Sequence, residues 1–185
     1  MKKITVFCGS KMGTEPEYSV ATEHFGSVLA KQSYDLVYGG AKSGLMGVLA
    51  DSVLRNGGKV TGVMPTSLQN KEQINPNLSE TVKVSNMSER KAVMLTLGDA
   101  FIALPGGTGT LDELFEVFTL SQIGEHHKPC GILNLKGYYD GLLSFLKQSR
   151  DKGFLHPDYF DMLIVDEDPE SLLTKLSNFK HPHHQ

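Results

Sequence analysis

The chain is predicted to be an α/β protein, a Rossmann-like doubly wound three-layer sandwich with a mainly parallel sheet, and two observations predict it. Short β-rich runs alternate with longer segments of helical period along the whole sequence, which is the mark of βαβ units. Glycines gather where those strands hand over to helices, at the turns a doubly wound fold requires. The length of 185 residues lies within the range of one domain, and an apolar fraction of 39% is enough for a buried core. Residues 1–180 are expected to form a single domain and residues 181–185 a short tail.

Ile4 to Cys8 is the first predicted strand. Glu17 to Gln32 follows as a helix, with Tyr18, Ala21, Phe25, Val28 and Leu29 recurring at three- and four-residue spacing. Asp35 to Tyr38 returns as a strand. Leu45 to Arg55 is the next helix, stopped by Asn56-Gly57-Gly58, and Lys59 to Met64 is the third strand, closed by Pro65. Thr66 to Glu80 is polar and holds Asn75-Pro76-Asn77, so it reads as a surface loop before a short strand at Thr81 to Val84. A helix from Ser88 to Leu97, a strand from Ala100 to Leu104, a glycine turn and a helix from Leu111 to Ile123 come next. The alternation resumes with a strand at Cys130 to Leu135, a helix at Gly141 to Lys152 stopped by Gly153, a strand at Met162 to Val165 and a closing helix at Pro169 to Asn178.

The formal net charge of -3 arises from mixed signs spread along the chain, so no basic stripe is available for a nucleic-acid backbone. No signal peptide is recognisable and no apolar run approaches the roughly 20 residues that span a bilayer, so a soluble cytoplasmic protein with no membrane partner is expected. Cys8 and Cys130 read as small buried hydrophobes in a reducing compartment rather than as a disulfide or a metal pair. The run His181-Pro182-His183-His184 reads as a frayed, solvated terminus, and no convincing metal ligand set is present.

Three glycine turns stand at strand ends: Gly9-Ser10-Lys11-Met12-Gly13, Gly39-Gly40-Ala41-Lys42-Ser43-Gly44 and Pro105-Gly106-Gly107-Thr108-Gly109-Thr110. In a parallel sheet they share the carboxyl edge, where helix N-termini offer free N–H groups and partial positive charge to a phosphate. Any one of them is as readily a plain tight turn; three on one edge favour a phosphorylated small molecule. The third adds the hydroxyls of Thr108 and Thr110. The G-x-G-x-x-G spacing of dinucleotide folds is absent, and so is the Walker pattern, because Ala41 precedes Lys42-Ser43. Neither NAD nor ATP is expected.

Asp112, Glu113 and Glu116 follow the threonine turn at the start of a helix. Thr110-Leu111-Asp112-Glu113 fits a capping box, in which the glutamate merely bonds back to its own helix, and this competes with a catalytic role. Arg90 and Lys91 lie in the first turn of another helix, where the dipole disfavours cations and a facing anion would compensate.

Pro105-Gly106-Gly107-Thr108-Gly109-Thr110-Leu111-Asp112-Glu113 matches the P-G-G-x-G-T-x-x-E signature, and the chain resembles the LOG family of cytokinin-activating phosphoribohydrolases. Cys8-Gly9-Ser10, Gly39-Gly40, Gly44-Leu45-Met46-Gly47, Met87 with Arg90-Lys91, Gln122-Ile123-Gly124 and Lys128-Pro129 resemble further landmarks of that family, in its order. The resemblance implies a Rossmann-like homodimer that needs no cofactor and hydrolyses nucleoside 5′-monophosphates, AMP or N6-substituted cytokinin nucleotides, to free base and ribose 5-phosphate. It implies Arg90 and Glu113 as the catalytic pair. Substrate binding falls to Ser10, Gly40, Met87, Lys91, Gly106, Gly107, Thr108, Gly109, Thr110 and Glu116. Thr108, Ala41-Lys42-Ser43 and Leu120 depart from common family residues, which bears on base preference more than on the reaction.

Cleavage of an N-glycosidic bond builds positive charge on the ribose, and a carboxylate near the anomeric carbon stabilises it, the part expected of Glu113. The alternative is a non-catalytic carrier of a nucleotide or of molybdenum cofactor, against which the pairing of Glu113 with Arg90 argues. A pyridoxal phosphate decarboxylase would need a Schiff-base lysine, and only Lys42 or Lys91 could be nominated, without supporting context.

Overall fold

Successive side chains of a strand project to opposite faces, and here both faces are apolar. In the strand Ala100–Ala103, Ala100 and Ile102 enter one core while Phe101 and Ala103 enter the other, and all four are fully buried. The structure, a computed structural model, describes residues 1–68 and 73–182. Its elements run β1 (Lys3–Phe7), α1 (Pro16–Lys31), β2 (Asp35–Tyr38), α2 (Gly44–Arg55), β3 (Val60–Pro65), β4 (Glu80–Val84), α3 (Met87–Leu97), β5 (Ala100–Ala103), α4 (Thr108–Gln122), β6 (Cys130–Leu133), α5 (Asp140–Asp151), α6 (Pro157–Asp161), β7 (Leu163–Asp166) and α7 (Pro169–Ser177).

The strands form one sheet in the order β4-β3-β2-β1-β5-β6-β7, and every strand pairing is parallel. One core holds Phe25 and Leu29 of α1, Leu49 and Val53 of α2, and Leu172 and Leu176 of α7 against Ile4, Leu36, Val60 and Ile102. The other holds Met94 of α3, Leu114 and Phe118 of α4, and Leu146 of α5 against Phe7, Val37, Val63 and Phe101. The three-layer sandwich read from the sequence is therefore the observed fold. Among the described residues no helix is long and apolar enough to cross a membrane.

Strand and helix order agree with the sequence reading, and the differences lie at ends and in short elements. α6 was not anticipated; its five residues start at a proline, with the His156 ring accepting from the Asp158 amide as N-cap. α4 begins at Thr108, three residues before the expected Leu111, so the glycine turn itself is the start of the helix. The loop expected at Thr66 to Glu80 contains a short 3-10 turn at Thr66–Leu68 and a bridge between Ala41 and Ile74, while 69–72 lie outside the described residues.

The tail expectation fails at His181. This residue is 4% exposed, its Nε2 lies 3.1 Å from the Ser121 carbonyl near the end of α4, and its ring stands edge-on to His127 at 4.5 Å. The run of polar residues concealed that Phe179 and His181 pack together and carry the chain back onto α4. His183 and His184 lie outside the described residues. Loss of a buried hydrogen bond costs about 1–2 kcal/mol, so His181→Ala is expected to lower the thermal midpoint by about 2–8 °C. An unchanged midpoint in calorimetry would return His181 to a solvated tail.

Candidate active site

Strand order reverses between β1 and β5, which are neighbours although the chain leaves them toward opposite edges of the sheet. Their following turns diverge and leave the crevice at which doubly wound folds bind ligands. Backbone bonds knit the turns together: the Gly9 amide donates to the Pro105 carbonyl at 3.0 Å, and the Met46 amide to the Gly9 carbonyl at 3.3 Å. Gly44 has φ +64°, and a Cβ there would stand 2.2 Å from the Ser10 carbonyl carbon, so only glycine lets the first two turns meet. A cavity of about 610 Å³ opens between them, a size suited to a small molecule.

The N-terminus of α4 forms one wall. Gly107 is the N-cap in extended conformation and no side chain caps the helix. The first intrahelical bond runs from the Leu111 amide to the Gly107 carbonyl at 3.2 Å, which leaves the amides of Thr108, Gly109 and Thr110 without intrahelical acceptors. Their combined partial charge suits an anion. Gly107 and Gly109 both line the cavity, neither has positive φ, and a Cβ on either would meet no protein atom within 4 Å. Neither backbone strain nor packing requires glycine there. Gly107 is an ordinary N-cap choice, but Gly109, inside the first turn, costs up to about 1 kcal/mol relative to alanine, which close approach of a ligand would justify.

Arg90 and Glu113 lie deeper. Arg90 comes from the first turn of α3, which Asn86 caps by accepting from the Glu89 amide at 2.9 Å while Glu89 accepts in return from the Ser85 amide at 2.7 Å. The guanidinium is buried, its Nε donates to the Val63 carbonyl at 3.1 Å, and its Nη1 stands 3.8 Å from Glu113 Oε1. Its Nη2 passes so close over Gly39 that a Cβ there would be 1.8 Å away. A buried cation needs a partner, and the largely buried Glu113 carboxylate is that partner. The capping-box reading of Glu113 fails for a positional reason: the N-cap is Gly107 rather than Thr110.

Of the residues singled out in the sequence, Ser10, Met87, Arg90, Gly106, Gly107, Thr108, Gly109, Thr110 and Glu113 line this cavity, and Gly40, Lys91 and Glu116 do not. Gly40 packs behind the wall against Gly62 and Met64. Lys91 is paired with Glu116 and, at 3.1 Å, with Asp112, a cluster that braces α3 against α4. The bond from Glu116 raises the Lys91 pKa, against the opposing effect of desolvation. Cys8 is buried as expected, but at the cavity; burial pushes its thiol far up, Glu113 adds to this and Arg90 opposes it, so it is no thiolate nucleophile at neutral pH.

Sequence reasoning missed Tyr18, Leu68 and Tyr138, which complete the cavity wall. Tyr18 was read as part of a helix core face. Tyr138 carried a usable signal, because Lys136-Gly137-Tyr138-Tyr139 follows β6 and so sits at the same carboxyl edge as the three glycine turns.

Fold and cavity define a Rossmann-like α/β protein with its site at the topological switch point. Residues 46–176 match the family described as "Possible lysine decarboxylase". The chain is 42% identical over 184 residues to the cytokinin riboside 5′-monophosphate phosphoribohydrolase LOG1 of Arabidopsis thaliana, covering 100% of this chain and 86% of that protein. It is 43% identical over 183 residues to a probable enzyme of the same name, LOGL5, from Oryza sativa subsp. japonica, covering 99% and 74%. The chain belongs to the LOG family, within that lysine-decarboxylase-like group. Among solved structures, the molybdenum cofactor binding protein of Rippkaea orientalis superposes with a TM-score of 0.71 at 18% identity, covering 96% of each chain, a likeness of fold alone.

If Gly109 is kept small for a ligand, Gly109→Ala should raise the thermal midpoint, by an amount reflecting about 0.5–1 kcal/mol of helix stabilisation, while weakening binding of ribose 5-phosphate. Calorimetry and titration on one preparation check both. Undiminished binding would show that the open space beside Gly109 is not used.

Proposed function

We propose that this protein hydrolyses the N-glycosidic bond of nucleoside 5′-monophosphates, AMP or its N6-substituted relatives, releasing the base and ribose 5-phosphate. The observation that carries the reading is the placement, in one cavity, of a helix N-terminus with no capping side chain and an unforced Gly109 beside a buried Arg90–Glu113 pair. The helix N-terminus and Glu113 belong to α4, and Arg90 reaches them from α3. Gly109 and Glu113 are four residues apart, about 6 Å of helix rise, comparable to the separation of a 5′-phosphate from the anomeric carbon of its ribose. The names of the relatives at 42–43% identity support the same reaction.

In this mechanism the amides of residues 107–110 and the threonine hydroxyls hold the 5′-phosphate, supplying binding energy remote from the bond that breaks. As the bond from C1′ to the base nitrogen lengthens, positive charge develops on the ribose and the Glu113 carboxylate stabilises it. Water oxygen bonds to C1′ and the base leaves with the electron pair and gains a proton. Arg90, immobilised by the Val63 carbonyl, holds Glu113 in register. Met12, Met46, Met87 and Leu68 offer an adaptable apolar wall to the base. Lys91 and Glu116 contribute by bracing the two catalytic helices.

Lysine decarboxylation through a Schiff base is disfavoured by the lysines themselves. Of the two lysines the sequence could nominate, Lys91 is held protonated by Glu116 outside the cavity and Lys42 lines a different groove, while Lys11 lines the cavity from an exposed turn without the burial that such a lysine needs. The fold likeness to molybdenum cofactor proteins, at 18% identity, carries no cargo with it.

We also propose a cytoplasmic homodimer. The two free, buried cysteines fit a reducing compartment. A groove of about 580 Å³ along α4, lined by Leu111, Phe115 and Leu120, adjoins the cavity through Thr108 and Asp112 and would be covered by a second copy. Light scattering at micromolar concentration should give twice the monomer mass; an active monomer would refute the dimer.

Glu113→Gln is expected to fold, with a midpoint lowered by the weakened partnership with Arg90, and to lose about a hundredfold or more in kcat, equivalent to about 2.7 kcal/mol. Arg90→Ala should lose a comparable factor, and the double variant little more. Adenosine should be a far poorer substrate than AMP. Near-normal adenine release by folded Glu113→Gln, or equal turnover of AMP and adenosine, would overturn the mechanism.

A further inference from the structure

The loop joining β6 to α5 holds an arrangement that the reaction chemistry leaves unexplained. Asn134 organises it: Nδ2 donates to Asp140 Oδ1 at 2.8 Å, Oδ1 accepts from the Tyr139 amide at 2.8 Å, and the backbone carbonyl accepts from the Gly137 amide at 3.3 Å. Two successive residues, Lys136 at φ 55° and Gly137 at φ 69°, turn left-handed. For a lysine that conformation is unfavourable and must be sustained by its surroundings. The outcome is that two consecutive phenols reach the turn between β5 and α4. Tyr139 Oη donates to the Leu104 carbonyl at 2.6 Å, and Tyr138 Oη donates to the Gly106 carbonyl at 2.7 Å.

The two bonds differ in what they are for. Tyr139 is 3% exposed and satisfies a carbonyl of fully buried Leu104, which accounts for it as core structure. Tyr138 is 43% exposed, its ring lines the cavity edge-on to Tyr18 at 5.7 Å, and its acceptor belongs to a half-buried glycine beside open space. That carbonyl would be satisfied by water without help, so desolvation does not explain the phenol. Orientation does. Gly106 and Gly107 are adjacent glycines, with the fewest intrinsic limits on backbone rotation, and because a peptide group is planar, holding the Gly106 oxygen also sets the direction of the Gly107 N–H. A flip of this peptide would present a carbonyl oxygen, in place of an amide, to an anion at the start of α4.

We propose that Tyr138 is a positioning residue for the 5′-phosphate, its hydroxyl holding the Gly106–Gly107 peptide in the orientation that accepts the anion. The identity of the anion rests on the phosphoribohydrolase reading above; the effect on anion binding does not. Tyr138→Phe keeps the ring and removes only the hydroxyl, and Tyr139→Phe serves as the control for a purely structural bond. In Tyr138→Phe, affinity for ribose 5-phosphate should fall about fivefold to tenfold and KM for AMP should rise by a similar factor, with kcat within about threefold of the unmodified protein. kcat/KM for adenosine, which lacks the phosphate, should not change. Tyr139→Phe should lower the thermal midpoint and leave the AMP to adenosine preference intact. Unchanged ribose 5-phosphate affinity in a folded Tyr138→Phe protein overturns the proposal, and so does an equal loss with AMP and adenosine. Because ribose 5-phosphate titration needs no turnover, a protein that binds it but releases no adenine would sink the hydrolase reading while the Tyr138 comparison still decides this one.

Discussion

Arg90 is a charged group 6% exposed, and the surrounding architecture reads as the set of conditions under which that burial is tolerable. An ion withdrawn from water must recover its lost solvation from fixed partners. Four elements supply them: α3 carries the side chain, β3 offers the Val63 carbonyl, the end of β2 stays out of its way as Gly39, and α4 presents Glu113. The consequence runs both ways, because a carboxylate held beside a fixed cation is also fixed itself. The pair is thereby fixed, and the stability of the fold and the proposed chemistry share one interaction.

The N-terminus of α4 shows the opposite economy. Its amides lack a capping side chain, and Gly109 faces open space where alanine would support the helix better. Bonds from outside hold the turn in shape: the Gly9 amide on the Pro105 carbonyl and Tyr138 on Gly106. Local stability is given up at the mouth of the cavity, and rigidity is returned by neighbouring loops of the same sheet edge. That division is common where sites violate local rules that the rest of the chain obeys.

Ordinary ion pairs do the remaining work between helices. Lys91 with Glu116 and Asp112 looked from the sequence like part of the site, since cations in the first turn of a helix invite an anionic ligand. The anion facing Lys91 is the protein's own, and Lys91 and Glu116 lie one position along α3 and one turn along α4 from the pair that faces the cavity, while Asp112 reaches both Lys91 and the cavity.

Fold class, strand order along the chain and the three glycine turns were legible in the sequence because they rest on local periodicity and turn chemistry, which neighbouring residues encode directly. The P-G-G-x-G-T-x-x-E stretch likewise marked Gly106 to Glu113, nearly all of which lines the cavity. What depended on distant partners stayed hidden. Whether Glu113 capped its helix or met Arg90 turned on where α4 begins, and it begins at Thr108. Tyr138 could not be assigned to Gly106, 32 residues away, nor His181 to Ser121, 60 residues away, until the sheet brought β5, β6 and α4 together. Sequence alone determined which segments are strands and helices and which turns carry glycine; only tertiary packing decided which side chains share a cavity, because burial and hydrogen bonding are satisfied across the fold and not along the chain.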